Sequence, residues 1–284
     1  MGRSASAARG VSESAEPLEA ELLDVARAAA RAAAGELLAR YEHAVEGFAT
    51  KTSATDPVSD ADRVAEAAIR RVLAERRPGD AILGEEGGAT DGDGSAASGV
   101  VRWVVDPLDG TVNYLFGNPQ WCVSVAAEDA GGTLAGVVLD PLRGEELGAT
   151  RSGPLLRDGP PGADVSSAAL RPRAATLDVA LVATGFAYDA AVRERQAEVL
   201  KRVLPRVRDV RRAGSAALDL AWTALGRCDA YWERDVKPWD VAAGALLCTR
   251  AGLELHELAA ADGMPAGLLA APPALAGELL ALVG

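Results

Sequence analysis

The sequence predicts a layered α/β (α+β) protein. Three observations point there. Two Ala-rich segments with helical periodicity open the chain. A run of short apolar segments punctuated by Gly and Asp-Pro turns follows. In the second half, strand-like and helix-like patterns alternate. The 284 residues suffice for one large or two medium domains, and 49% hydrophobic residues supply a full core.

The elements are expected in this order. Residues 1–16 are small and polar and read as a disordered tail. From Pro17 to about Tyr41, Leu18, Leu22, Val25 and Ala29 recur at helical spacing. A second helix spans about Asp60 to Ala74, with Val64, Ala68 and Val72 on one stripe and Ser59 as cap. Pro78-Gly79 breaks the chain, and residues 87–99 form a Gly/Ser/Asp loop. Val100–Val105 reads as a buried strand ending at Asp106-Pro107. Further strands are expected at Trp121–Ala127, Leu134–Leu139 and Glu145–Thr150. Beyond a seam near residue 150, strands are expected at Asp178–Ala183, Val207–Arg211 and Asp229–Trp232. Helices are expected at Gln196–Leu204, Ser215–Leu225 and Val241–Arg250, with a terminal helix after Pro272-Pro273. The seam divides the chain into an N-terminal half, 17–150, and a C-terminal half, 151–284.

Composition excludes several functions. The balance of 29 basic and 41 acidic residues, net −12, argues against nucleic acid as the main partner. No apolar run is long enough for a membrane span, and the N-terminus lacks a signal-peptide core. Cys122, Cys228 and Cys248 lie far apart, without CxxC spacing, which fits a reducing cytoplasm. His43 and His256 lie outside every motif, and no GxSxG, P-loop or HExxH string occurs.

Acid residues gather in three places: Gly84-Glu85-Glu86-Gly87, Asp106-Pro107-Leu108-Asp109-Gly110-Thr111, and Trp239-Asp240. Singly, each has an ordinary explanation. Asp-Pro and Asp-Gly are turn pairs, Glu85-Glu86 suits a solvated loop, Asp240 suits a helix N-cap, and Asp62 suits a first helical turn. Together, Asp106, Asp109 and the Leu108 carbonyl offer hard oxygen ligands suited to Mg²⁺. Gly110-Thr111 would open a turn whose N–H groups favour phosphate.

The strings WVVDPLDGTVNY and WDVAAGALLCTRAG, with GEEG before them, resemble the signatures of the inositol monophosphatase family in wording, order and spacing. The resemblance covers roughly residues 20–284. It implies an α/β/α/β/α sandwich, often in a homodimer, that hydrolyses small phosphate esters with Mg²⁺. It implies that Glu85, Asp106 and the Leu108 carbonyl hold one ion and that Asp106, Asp109 and Asp240 hold a second. A third, weaker ion would lean on Glu85. Gly110 and Thr111 would bind phosphate, and Thr111 with Glu85 would position the attacking water, with no protein nucleophile. Glu233 would bind substrate hydroxyls beside Gly214, Ser215 and Ala216, with Asp109 and Asp240 also reaching the substrate. Lys51, Thr52 and Asp62 fall where the family has a mobile metal-side loop and a supporting aspartate. Val112-Asn113-Tyr114 resembles the branch acting on myo-inositol 1-phosphate. The alternatives are a fructose bisphosphatase, a histidinol phosphatase, a nucleotide 3′-phosphatase, or a non-catalytic scaffold. AGLELHEL departs from the family pattern at the back of the substrate pocket.

Overall fold

The computed structural model describes residues 7–41, 49–50, 57–58, 60–92, 101–159 and 172–284. In chain order the N-terminal elements are α1 (Ala7–Tyr41), β1 (Ala49–Thr50), β2 (Pro57–Val58), α2 (Asp60–Arg76), β3 (Ala81–Gly84), β4 (Gly88–Thr90) and β5 (Arg102–Asp109). Next come α3 (Thr111–Leu115), β6 (Cys122–Asp129), β7 (Gly132–Asp140), β8 (Glu145–Thr150) and β9 (Leu156–Asp158). The second half holds β10 (Leu181–Thr184), α4 (Ala190–Val203), β11 (Asp209–Arg211), α5 (Ala216–Ala224) and β12 (Ala230–Arg234). It ends with α6 (Pro238–Arg250), β13 (Glu254–Leu258), β14 (Gly267–Ala271) and α7 (Pro273–Val283).

Five layers result. The sheet β4-β3-β5-β6-β7-β8-β9 is antiparallel except where β3 meets β5. The sheet β11-β10-β12-β14-β13 pairs β10 in parallel with both neighbours. One face of the first sheet, through Trp103, Val105, Val123, Val125 and Val137, packs under α1 and α2. Its other face, through Val104, Cys122, Ala126 and Val138, meets α5 and α6, which also touch the second sheet at Ala183, Tyr231 and Ala270. The outer face of the second sheet packs on α4 and α7 through Val182, Trp232 and Leu269. Both faces of each sheet are covered, which explains why the strands read as continuous apolar runs. The sandwich expected from the sequence is the one observed.

Several boundaries differ from expectation. Helix α1 begins at Ala7, inside the stretch assigned to a tail, because Ala and Glu there favour a helix more strongly than their polarity suggests. The buried face of α2 is Ala61, Asp62, Ala65, Glu66, Ala68, Ile69 and Leu73, with Val64 and Val72 only at its margin. Part of the expected loop at 87–99 is β4, which forms a hairpin with β3. The segment around AGLELHEL is a strand, β13, paired with β14. The first sheet runs on past residue 150 to β9. Ser59, Lys51, Thr52 and His43 lie outside the described residues.

Close approach of α6 to β7 places the N-terminal end of α6 in the site. A Cβ built on Gly136 would stand 2.9 Å from Ala243 Cα, and one on Gly244 would stand 2.6 Å from Leu220 Cβ. A Gly136→Ala variant is therefore expected to push α6 off the sheet and lose about 1–3 kcal/mol of stability. Guanidinium unfolding measures this, and an unchanged midpoint would contradict it.

Candidate active site

Strand β5 does not end at Asp106. It continues through Pro107 and Leu108 to Asp109, with a register shift against β6: Asp106 pairs with Ser124 and Asp109 with Cys122. In a regular strand, residues three apart point to opposite faces. Here three steps on β5 oppose two on β6, so the extra residue returns Asp109 to the face of Asp106. Pro107 has no N–H to give the ladder, which suits it to such a bulge. The bulge turns both carboxylates toward the helical layer between the sheets.

Each acid is then fixed by its own local structure. Asp106 is buried, and its Oδ1 accepts the Leu108 N–H at 2.9 Å. Asp109 Oδ2 accepts the Ser215 hydroxyl at 2.8 Å and the Ala217 N–H at 2.6 Å, at the start of α5. Ser215 is the N-cap of α5, and its oxygen also accepts the Leu218 N–H. Asp240 is not the N-cap of α6. Lys237 holds that place, Pro238 begins the helix, and the Asp240 carboxylate accepts the Lys237 N–H at 2.7 Å. Glu85 follows β3 in a turn, and its N–H reaches the Val105 carbonyl. Gly110 adopts φ 103°, and Thr111 begins α3. The Thr111 hydroxyl lies 3.1 Å from Asp62 Oδ1 and 3.2 Å from the Leu108 carbonyl, both of which can accept its single proton. Asp62 thus sits beneath Thr111, fully buried.

Glu85, Asp106, Leu108, Asp109, Gly110, Thr111, Gly214, Ala216, Glu233 and Asp240 line one cleft of about 870 Å³. Ser215 and Asp62 stand behind its wall. The structure thus brings together the predicted site residues among those it describes.

The electrostatics of the cleft are unbalanced. Burial, then Glu85, Asp109 and Asp240, push the Asp106 carboxyl well above the usual range. Burial and Asp109 likewise push Asp240 up. Burial raises Asp109 to about 6, against the pull of Ser215, Ala217 and Ala216. Glu233, which accepts the Tyr231 hydroxyl at 3.1 Å, is pushed up to about 8 by burial, Asp219 and Asp109. Such a set of oxygen donors, short of positive charge, fits hard divalent cations. Among the described residues no group of three acids already forms a closed metal cage, so the fit rests on donor chemistry and charge.

The model of the inositol monophosphatase family matches residues 18–283. The chain belongs to the inositol monophosphatase family. The inositol-1-monophosphatase SuhB of Mycobacterium tuberculosis is 46% identical over 234 residues, covering 81% of this chain and 79% of that protein. The Nus factor SuhB of Pseudomonas aeruginosa is 40% identical over 240 residues, covering 81% and 83%. Among solved structures, the extragenic suppressor protein SuhB of Bartonella henselae has a TM-score of 0.78 at 31% identity, covering 91% of this chain and 95% of that one.

Sequence reasoning missed other residues that this member of the inositol monophosphatase family places in or beneath its cleft. Arg193, Arg212 and Lys237 line it and lie in no motif. Asp219 is buried in α5 and helps to push Glu233 up, yet it reads in the sequence as one polar residue in an apolar helix. Gly185 faces Glu233 so closely that a Cβ there would fall 1.9 Å from Glu233 Oε1. Only that spatial contact reveals Gly185, since the two lie on different strand ends.

Proposed function

We propose that this chain is a Mg²⁺-dependent phosphomonoesterase whose preferred substrate is myo-inositol 1-phosphate. The observation that carries the reading is the bulge in β5, which turns Asp106 and Asp109 into one cleft with Glu85 and Asp240. Glu85, Asp106, the Leu108 carbonyl, Asp109 and Asp240 would hold two ions, with a third at Glu85. Bound there, such cations neutralise the phosphate, acidify water and stabilise the leaving oxygen.

The residues of the chain do the rest. Donation of the Thr111 proton to Asp62 leaves the hydroxyl oxygen able to accept from a water in the cleft. Glu85 and Thr111 then orient that water toward phosphorus, in line with the departing oxygen. The backbone around Gly110 and Thr111 offers N–H groups to the phosphate. Glu233 receives substrate hydroxyls. Relatives named as inositol-1-monophosphatases support the substrate, and the homodimer belongs to the same reading. The relative named Nus factor favours a second reading, a regulatory binding protein on this fold.

The test is phosphate release from myo-inositol 1-phosphate, fructose 1,6-bisphosphate, histidinol phosphate and adenosine 3′,5′-bisphosphate, with Mg²⁺ and with chelator. Release from the inositol ester alone supports the reading. Preference for another ester moves the substrate, and release from none favours the regulatory protein. A Gly185→Ala variant is expected to displace the Glu233 carboxylate and raise KM for the inositol ester roughly tenfold, the equivalent of one hydrogen bond, with a smaller change in kcat. Unchanged KM would remove Glu233 from substrate binding.

A further inference from the structure

One buried acid grips the turn that carries Glu85. Glu66 lies on α2, four residues after Asp62, with 3% of its surface exposed. Its Oε2 accepts the Glu86 N–H at 2.8 Å, and its Oε1 accepts the Gly87 N–H at 2.9 Å. Arg70, one turn further along α2, donates from Nε to the same Oε1 at 2.7 Å. Arg70 also donates from Nη2 to the Gly88 carbonyl at 2.9 Å. The turn is therefore gripped on consecutive backbone groups by an ion pair anchored in a helix.

The fit is close on the turn side too. A Cβ on Gly84 or on Gly87 would fall 2.6 Å from Glu66 Oε1. Both glycines that flank Glu85-Glu86 thus leave room for this one carboxylate. That accounts for the GEEG wording without a flexible turn: φ at neither glycine is positive. Two N–H donors and a guanidinium fully occupy the carboxylate, which explains how an acid stays buried beside other acids.

We propose that Glu66, clamped by Arg70, is a positioning residue that sets where the Glu85 carboxylate stands relative to Asp106, and through it the affinity of the cleft for divalent cations. This rests on the reading of the cleft as a cation site. Groups that orient ligands in this way typically change metal affinity by roughly 10–100-fold when removed.

The experiment uses the full chain, stripped with chelator. Glu66→Gln removes the ion pair and one acceptor while keeping the shape. Gly87→Ala, at an exposed turn position, pushes the same carboxylate from the other side and leaves α2 intact. Hydrogen exchange at the Glu86 and Gly87 amides and calorimetric titration with Mg²⁺ are measured for both variants, with Arg76→Ala as a control that loses only an exposed ion pair on α2. The expected result is exchange at least tenfold faster at those two amides and a Mg²⁺ dissociation constant raised about tenfold or more in both variants. The control should show neither change. Faster exchange with wild-type Mg²⁺ affinity would make Glu66 merely structural and overturn the proposal. Unchanged exchange would overturn it as well. A wild-type chain that binds no Mg²⁺ would instead sink the reading of the cleft, a failure the exchange data distinguish from failure of the clamp.

Discussion

An Asp109→Asn variant is expected to lose phosphatase activity by a factor of roughly 10³ or more, because it removes a negative ligand where several kcal/mol of charge stabilisation are concentrated. The loss should appear in kcat, and raising Mg²⁺ should recover little of it. The substitution is nearly isosteric, and its amide oxygen can still accept from Ser215 and Ala217. Folding should therefore survive, and the unfolding midpoint in chelator should not fall, since burial already disfavours the charged form. Steady-state turnover beside thermal unfolding separates the two effects. A variant with wild-type turnover would remove Asp109 from the mechanism.

The second large effect concerns pH in the absence of metal. Glu233 is held near 8 and Asp219 well above its usual value, in both cases chiefly by burial. In the unfolded chain these carboxyls titrate at roughly 4. Between those limits the folded state holds protons that the unfolded state has released, so stability falls as pH rises. The contribution is complete below about pH 4 and is lost as pH climbs through the folded values. Each carboxyl still protonated in that window contributes about 1.4 kcal/mol per pH unit. Chelator-treated protein should thus melt several degrees lower at pH 8 than at pH 6, and Glu233→Gln should flatten part of that slope. Added Mg²⁺ should raise the midpoint most at the higher pH, where carboxylates are free of protons. A midpoint that rises with pH in chelator would contradict the charge imbalance described for the cleft.

Much of the site was legible because its residues cluster in short strings. Asp106 through Thr111 lie on one continuous stretch, and their types alone announce oxygen ligands beside a phosphate cradle. What the string concealed was the shape of β5. An Asp-Pro pair reads as the end of a strand, whereas the observed bulge continues it, and only pairing with Ser124 and Cys122 shows that both acids share a face. Asp240 was misplaced by three residues for a similar reason, since Lys237 caps the helix with its backbone geometry rather than with a typical capping side chain.

The residues that escaped notice act across elements. Glu66 sits among Ala65, Ala68 and Ile69 on the buried face of α2, where periodicity predicts an apolar residue. Its use appears only when the turn after β3 folds against it. Gly185 and Glu233, or Asp219 and Asp109, are likewise related only through packing. The β13–β14 hairpin was missed because Glu254, His256 and Glu257 give it a polar, edge-strand character.

The most direct test of the cation-dependent cleft is a Mg²⁺ titration of chelator-stripped protein, with heat of binding and phosphate release from myo-inositol 1-phosphate followed on the same sample. Turnover that is absent without Mg²⁺ and rises together with saturation of the binding heat is the predicted result. Full turnover in excess chelator, or Mg²⁺ binding unaltered in Asp106→Asn, would contradict it.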